Sequence, residues 1–212
     1  MHIFKKFLYL GFLLCSVGLF FYNATANAQN ISSKIAHVLE VKGAIGPAVT
    51  DYITREFKDA RDENADFIII KMHTPGGLVT SMQDIIQEIL ASDIPVITYV
   101  SPSGSHAASA GTYILYASHI AAMAPATNLG AATPVQMNGD NTKKTPAPNV
   151  ENEDTSSGPS TLELKSVNDA VAYIRELAQL RGRNADWAEQ AVREAVSLGA
   201  EEAKTHNVID II

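Results

Sequence analysis

The run Ala107-Ala108-Ser109-Ala110-Gly111-Thr112-Tyr113 sets one serine among small residues, with Thr74-Pro75-Gly76-Gly77 upstream of it and Lys165 downstream. A serine hydrolase needs a hydroxyl at an exposed turn, a base to take its proton and backbone N–H donors for the oxyanion, and these three segments can supply all of them. Ser109 falls where the loop after a strand turns into an Ala-rich helix. There the free N–H groups of the helix start and the positive end of its dipole favour developing negative charge. The same placement also suits a plain helix N-cap. Gly76 and Gly77 follow one strand and precede a helix, where glycine admits positive φ and lets the backbone come close to a ligand, although a tight turn asks for the same residues.

His106, three residues before Ser109, is the alternative base. The other histidines of the soluble part, His37, His73, His119 and His206, stand singly, with no grouping at metal-ligand spacing. No metal and no cofactor is therefore expected.

The elements that must position these residues follow from hydrophobic periodicity. Ile35 to Val41 alternates as a strand, and Pro47 stands at a first helical position. Val49, Ile53, Phe57 and Ala60 then recur at helical spacing, with Asp51, Arg55, Lys58 and Asp62 on the wet face. Phe67 to Ile70 is a short continuous apolar run of the kind that fits a parallel strand covered on both faces. Gly76-Gly77 opens a helix bearing Leu78, Met82, Ile85, Ile86 and Ile89. Next come a strand from Pro95 to Val100, a small-residue helix from about Ala107 to Ala117, and a strand from Ile120 to Ala124. Val167, Val171, Ile174 and Ala178 predict a helix starting near Ser166. Trp187, Ala191 and Val192 predict another, and Val208 to Ile212 a terminal strand. Strands alternating with helices imply right-handed parallel crossovers, so the class is α/β.

Thr74-Pro-Gly-Gly-Leu78, Ala108-Ser-Ala-Gly-Thr-Tyr-Ile114, Ala124-Pro-Ala-Thr-Asn-Leu-Gly-Ala131 and Lys165, in this order, resemble the protease domain of the NfeD family. These are membrane-associated serine proteases of the Clp protease and crotonase-like superfamily, related to signal peptide peptidase A. The resemblance implies a fold of stacked ββα units with a mostly parallel sheet. It makes Ser109 the nucleophile and Lys165, ahead of Val167-Asn-Asp-Ala-Val-Ala-Tyr-Ile174, its general base. The backbone N–H groups of Gly76 or Gly77 and of Ala110 would form the oxyanion hole. A lysine acts as a base only when desolvation favours its neutral form, and Leu162 and Leu164 are the apolar neighbours that can desolvate Lys165.

The implied activity is a serine endopeptidase with a Ser-Lys dyad that cleaves an extended apolar segment of a membrane protein outside the cytoplasm. A peptide substrate, with a stomatin-like membrane protein as partner, goes with that implication, and a homo-oligomer is compatible with it. A non-catalytic scaffold of the same fold, binding a membrane partner, is the alternative. An acyl-CoA enzyme of the crotonase type fits an exported chain poorly, because acyl-CoA is cytoplasmic. Three positions depart from the family pattern: His73 where relatives commonly have Asp, Ala126 in place of a glycine, and Thr133 where His is frequent.

Composition bounds the rest. The 212 residues, 46% hydrophobic and 18% charged, fit one packed domain. Lys5-Lys6 precede an apolar run from Phe7 to Tyr22 and then Ala26-Asn27-Ala28, the pattern of a secretory signal cleaved before Gln29. Residues 1–28 are thus expected to be a signal peptide and 29–212 the exported domain, periplasmic or at the extracytoplasmic membrane face. Cys15, the only cysteine, lies within the signal. Removing Lys5 and Lys6 with no acids moves the formal net charge from −7 to −9, which disfavours nucleic acid as a partner. Residues from about 136 to 160, rich in Asn, Thr, Pro, Ser and Gly, read as a mobile polar loop. Full-length relatives, by the resemblance, continue into membrane-spanning segments and a small β-barrel, so the chain is read either as a short secreted version or as the first part of a longer protein.

Overall fold

A computed structural model describes residues 33–135 and 160–212, and the segments read as signal peptide and as most of the polar loop lie outside these described residues. The unit from Ile35 to Ile212 is built on a four-stranded parallel sheet in the order β1 (Ala36–Lys42), β2 (Phe67–His73), β3 (Val96–Val100), β5 (Ile120–Met123). The crossovers carry helices α1 (Pro47–Asp62) and α2 (Val79–Ala91). Pro47 does open α1, since its missing N–H is one of those the first turn leaves unbonded in any case. Ile53, Phe57 and Ala60 of α1 and Met82, Ile85, Ile86 and Ile89 of α2 join one core with Leu39, Val41, Ile68, Ile70, Met72, Val96 and Val100 of the strands.

Strand burial alternates, so the sheet has one dry face and one half-exposed face. Phe67 and Ile69 are only half-buried, which corrects the expectation that the Phe67 to Ile70 run is covered on both sides. An apolar run reports high β propensity but does not say how many layers pack on it. Leu78 likewise falls outside the apolar stripe: it is the N-cap of α2 and 43% exposed.

A second sheet of three short strands, β4 (His106–Ala108), β6 (Asn128–Gly130) and β7 (Ser197–Gly199), has no counterpart in the sequence reading. β4 runs parallel to β6, and β7 antiparallel to it. Three-residue strands are too short to show a period, and here His106 reads as loop and Ala107-Ala108 as the start of a helix. The helix itself, α3 (Ala110–Ala117), begins only after Ser109, and all eight of its residues are buried.

α4 (Thr161–Leu180) begins five residues before Ser166, the expected start. Ser160 forms a capping box in which its Oγ accepts from Glu163 N–H at 3.2 Å, while Glu163 accepts from Ser160 N–H at 2.6 Å. α5 (Ala185–Arg193) follows, then β7 and the short α6 (Ala200–Thr205). The expected terminal strand is reduced to one parallel bridge, Ala122 to Ile211. Asp210 ends that segment's pairing by accepting from Ala121 N–H through its carboxylate at 2.7 Å.

Candidate active site

Ser109 is the hinge between β4 and α3, and its backbone is strained, with φ +52° and ψ −116°. An L side chain rarely adopts this conformation, which costs about 1–3 kcal/mol and persists only where the surroundings impose it. The surroundings here are hydrogen bonds. Ser109 N–H donates to Gly130 O at 3.0 Å, and Ala108 N–H donates to Thr74 O at 3.0 Å. The Thr112 hydroxyl, one turn into α3, donates to Ala107 O at 2.9 Å and lies 3.1 Å from Gly130 O. β4 is thus clamped between β6 and the Thr74 segment, and Ser109 is held where the chain must reverse into a fully buried helix.

The Thr74-Pro-Gly-Gly segment runs beside it. Thr74 bridges Ala107, and Gly76 has φ +110°. A Cβ at Gly76 would lie 2.6 Å from Ser109 Cβ and 3.0 Å from its Oγ, so only glycine lets this backbone lie against the serine. At Gly77 a Cβ would strike Ile45 O at 2.0 Å.

The donors separate on the same evidence. Gly76 N–H is bonded to Thr74 Oγ1 at 3.0 Å, so its contribution is room rather than a free donor. Ile45 N–H bonds Gly76 O and Ile45 O accepts from Leu78 N–H, which turns the Gly77 N–H away from Ile45. Ala110 is the first residue of α3, whose opening N–H groups have no partner within the helix.

Ser109, Ala110 and Gly77 line one small cleft, about 40 Å³, completed by Val79, Met82, Tyr113, Ala132 and Pro134. Apart from Ser109 its walls are apolar, and the one other hydroxyl, that of Tyr113, donates to Ala132 O at 3.1 Å. Burial raises the Tyr113 pKa well above the ordinary tyrosine value, with Asp169 adding to the effect, so the group stays neutral. Of these wall residues the sequence reading named Met82 only as core and Tyr113 only within the serine motif. Tyr113 reaches the cleft from the first turn of α3, four residues after the Ser109 hinge.

Lys165 is placed differently. It lies inside α4, in the second turn rather than ahead of the helix, and it is exposed. It is not among the residues lining the Ser109 cleft. α4 packs on α3 through the stacked rings of Tyr113 and Tyr173, 6.3 Å apart, eight residues beyond Lys165, or roughly 12 Å along the helix axis. Leu162 and Leu164, expected to desolvate the lysine, are themselves 66% and 49% exposed. Among the described residues no side chain hydrogen-bonds the Ser109 hydroxyl.

His106, the alternative base, lies in β4. Its backbone N–H donates to His73 Nδ1 at 3.2 Å, and the two rings meet edge to face at 4.4 Å. His106 does not line the cleft either. At the departures from the family pattern, Ala126 keeps a glycine-like φ of +61°, and Thr133 donates its hydroxyl to Val192 O at 2.6 Å. Among the described residues no group of three or more His, Cys, Asp or Glu is placed to hold a metal.

Residues 35–153 match the family described as NfeD1b, N-terminal domain. The chain is 40% identical over 182 residues to the membrane-bound protease PH1510 of Pyrococcus horikoshii, a match covering 86% of this chain and 38% of that protein, so it spans well under half the length of that relative. Two solved structures superpose along 85% of the chain. One is a serine-to-alanine variant of the 1510-N membrane-bound stomatin-specific protease, with TM-score 0.71, 39% identity and 80% of that chain covered. The other is a lysine-to-alanine variant of the same protease in complex with a substrate peptide, with TM-score 0.70, 38% identity and 76% covered. The four-stranded parallel sheet and its helices are therefore a Clp protease and crotonase-like fold. With the family model matched over residues 35–153 and relatives of about 40% identity along most of its length, the chain belongs to the NfeD family through its NfeD1b N-terminal domain.

Proposed function

We propose that this domain is a serine endopeptidase whose nucleophile is Ser109. The observation that carries the proposal is the strained serine at the start of a buried helix, set in an apolar cleft with glycine backbone against its side chain. Attack of Ser109 Oγ on a peptide carbonyl would direct the oxyanion toward the N–H groups of Gly77 and Ala110, donors that stabilise the charge developing there. Val79, Met82, Tyr113 and Pro134 suit an apolar side chain next to the scissile bond.

Lys165 is the proposed base, supported by the family resemblance and by a serine and a lysine being the residues replaced in the solved relatives. Catalysis requires its amine to reach Ser109 Oγ and lose its hydration when a peptide is bound. By the same relationship the substrate is an extended apolar segment of a stomatin-like membrane protein, met outside the cytoplasm. The exposed position of Lys165, apart from the cleft, is the observation that favours the second reading, a scaffold that binds such a segment without cutting it.

Labelling with a fluorophosphonate followed by peptide mapping separates the two. Modification confined to Ser109, lost in Ser109→Ala and reduced at least ~10²-fold in rate in both Lys165→Ala and Lys165→Arg, is the expected result, since guanidinium does not give up its proton. Full labelling in the lysine variants with loss in His106→Ala would transfer the base to His106. No labelling at Ser109 in the presence of tight peptide binding would leave the scaffold.

A further inference from the structure

The cleft at Ser109 holds only about 40 Å³. An apolar cavity of ~150 Å³ is what takes up a benzene ring, so a cleft of this size has room for about one to three carbon atoms and none for an aromatic side chain. Such a limit selects among substrates only where the walls cannot retreat.

The Tyr113 wall is fixed at its face and at its tip. Its buried ring stacks on Tyr173 of α4 at 6.3 Å, and its hydroxyl donates to Ala132 O at 3.1 Å. Leaving its rotamer would give up both contacts at once. All eight residues of α3 are buried, and a Cβ at Gly111 would lie 2.6 Å from Thr74 Cγ2, so the helix that carries Tyr113 cannot shift without overpacking its neighbours. Ala132 is tied down as well, since its N–H donates to Ala191 O of α5 at 2.8 Å. Met82, a buried and unbranched thioether on α2, is the adaptable part of the wall. Val79, 52% exposed, borders the open side.

We propose that this cleft admits only a small aliphatic side chain, that of Ala or Val, from the residue whose carbonyl meets Ser109, and that Tyr113 is the specificity-determining residue that sets the limit, an inference that rests on Ser109 marking the peptide site. Leu and Met are longer than the space above the Tyr113 ring, and Phe brings a ring the cleft does not hold. In an apolar pocket one methylene too many or too few changes discrimination by ~10- to 200-fold, which is ample to set the register of a bound segment. An extended apolar segment would then dock with Ala or Val at Ser109, and a general preference for apolar sequence becomes a choice of one peptide bond.

Titration of the ¹⁵N-labelled Ser109→Ala full chain with the peptides Ser-Thr-Gly-X-Gly-Thr-Ser, where X is Ala, Val, Leu or Phe, tests this without requiring catalysis. Amide signals of Ala110, Tyr113 and Ala132 report whether the cleft is filled. The Ala and Val peptides should move them along saturable curves, with Kd at least ~10-fold below those of the Leu and Phe peptides. Added to this background, Tyr113→Leu should bring the Leu and Phe peptides within about three-fold of Val, whereas Tyr113→Phe, which keeps the ring, should preserve the order. Thermal unfolding checks each variant, with Tyr113→Met as the second replacement should Tyr113→Leu not fold. Leu or Phe peptides that bind as tightly as Val with shifts at the same amides, or no shift there with any peptide, overturn the size limit. Relaxed selectivity in Met82→Ala but in neither Tyr113 replacement overturns the assignment to Tyr113. The titration reads binding alone, so its failure is distinguishable from failure of the peptidase proposal, which rests on labelling of Ser109.

Discussion

Ser109 carries two demands that a single residue rarely meets together: a backbone in the left-handed half of the map and a side chain that is not glycine. If the strain serves the hydroxyl's position, stability and chemistry must separate on mutation. Ser109→Ala keeps the strain and loses the hydroxyl, so hydrolysis of an apolar peptide should fall at least ~10³-fold with unfolding free energy unchanged within about 0.5 kcal/mol. Ser109→Gly removes the strain as well, because glycine adopts such dihedral angles freely. It should be equally inactive but more stable, by about 1 kcal/mol after allowing for glycine's greater unfolded-state entropy. Urea unfolding of the two variants reads the difference, and a Ser109→Gly protein no more stable than wild type would show that the turn is not under strain. Ser109 stands out as a candidate nucleophile from its motif alone, whereas its strain was not legible there, since nothing in Ala-Ala-Ser-Ala-Gly distinguishes a helix interior from a hinge.

Among the elements, β1 and α1 are joined by His37. Its Nε2 lies 2.8 Å from Glu56 and its Nδ1 3.1 Å from Glu63. Burial, the largest single influence, lowers the His37 pKa, but hydrogen bonds and charge from Glu56 and Glu63 together outweigh it and leave the pKa above the ordinary 6.5. A raised folded-state value means the stabilisation is complete below about pH 6.5 and is lost as pH rises through the higher folded value. His37→Gln should therefore lower the melting temperature near pH 5.5 and change it little near pH 8.5. An equal loss at both pH values would assign the effect to packing instead. At α4 the capping box makes a separate prediction. Ser160→Ala should cost about 1 kcal/mol in urea unfolding, while Ser166→Ala, inside the helix where alanine is the better former, should be neutral or slightly stabilising. The start near Ser166 was inferred from apolar periodicity, which begins where the helix first touches the core, and a helix can start earlier on capping alone.

At the scale of the whole molecule, Arg183 closes the structure. With its side chain 1% exposed, it donates to the carbonyls of Leu115, Tyr116, Ser118 and His119 at the C-terminal end of α3, and to the Asp210 carboxylate at 2.6 Å. One residue from the turn between α4 and α5 thus caps the helix that begins at Ser109 and ties down the last residues of the chain. Arg183→Met should lower unfolding free energy by about 3 kcal/mol, the lower end of the range for a broken buried ion pair because Asp210 is 38% exposed and keeps its water. Arg183→Lys should recover little, since one ammonium cannot span carbonyls that a planar fork reaches. Equilibrium unfolding in urea measures both, and a loss below 1 kcal/mol would show that α3 holds its place without the cap. By itself the sequence determined the α/β class, the four strands β1, β2, β3 and β5 of the parallel sheet, the apolar faces of α1 and α2 and the motif residues, because burial on one side imprints a period on each segment and glycine marks close backbone approach. Only the tertiary structure decided the second sheet, the burial of Arg183 and the setting of Lys165 apart from the Ser109 cleft. Each of these depends on contacts between residues tens of positions apart or on a helix's docking angle, and neither leaves a periodic trace along the chain, whereas the early start of α4 lay in the local Ser160 to Glu163 cap that apolar periodicity does not register.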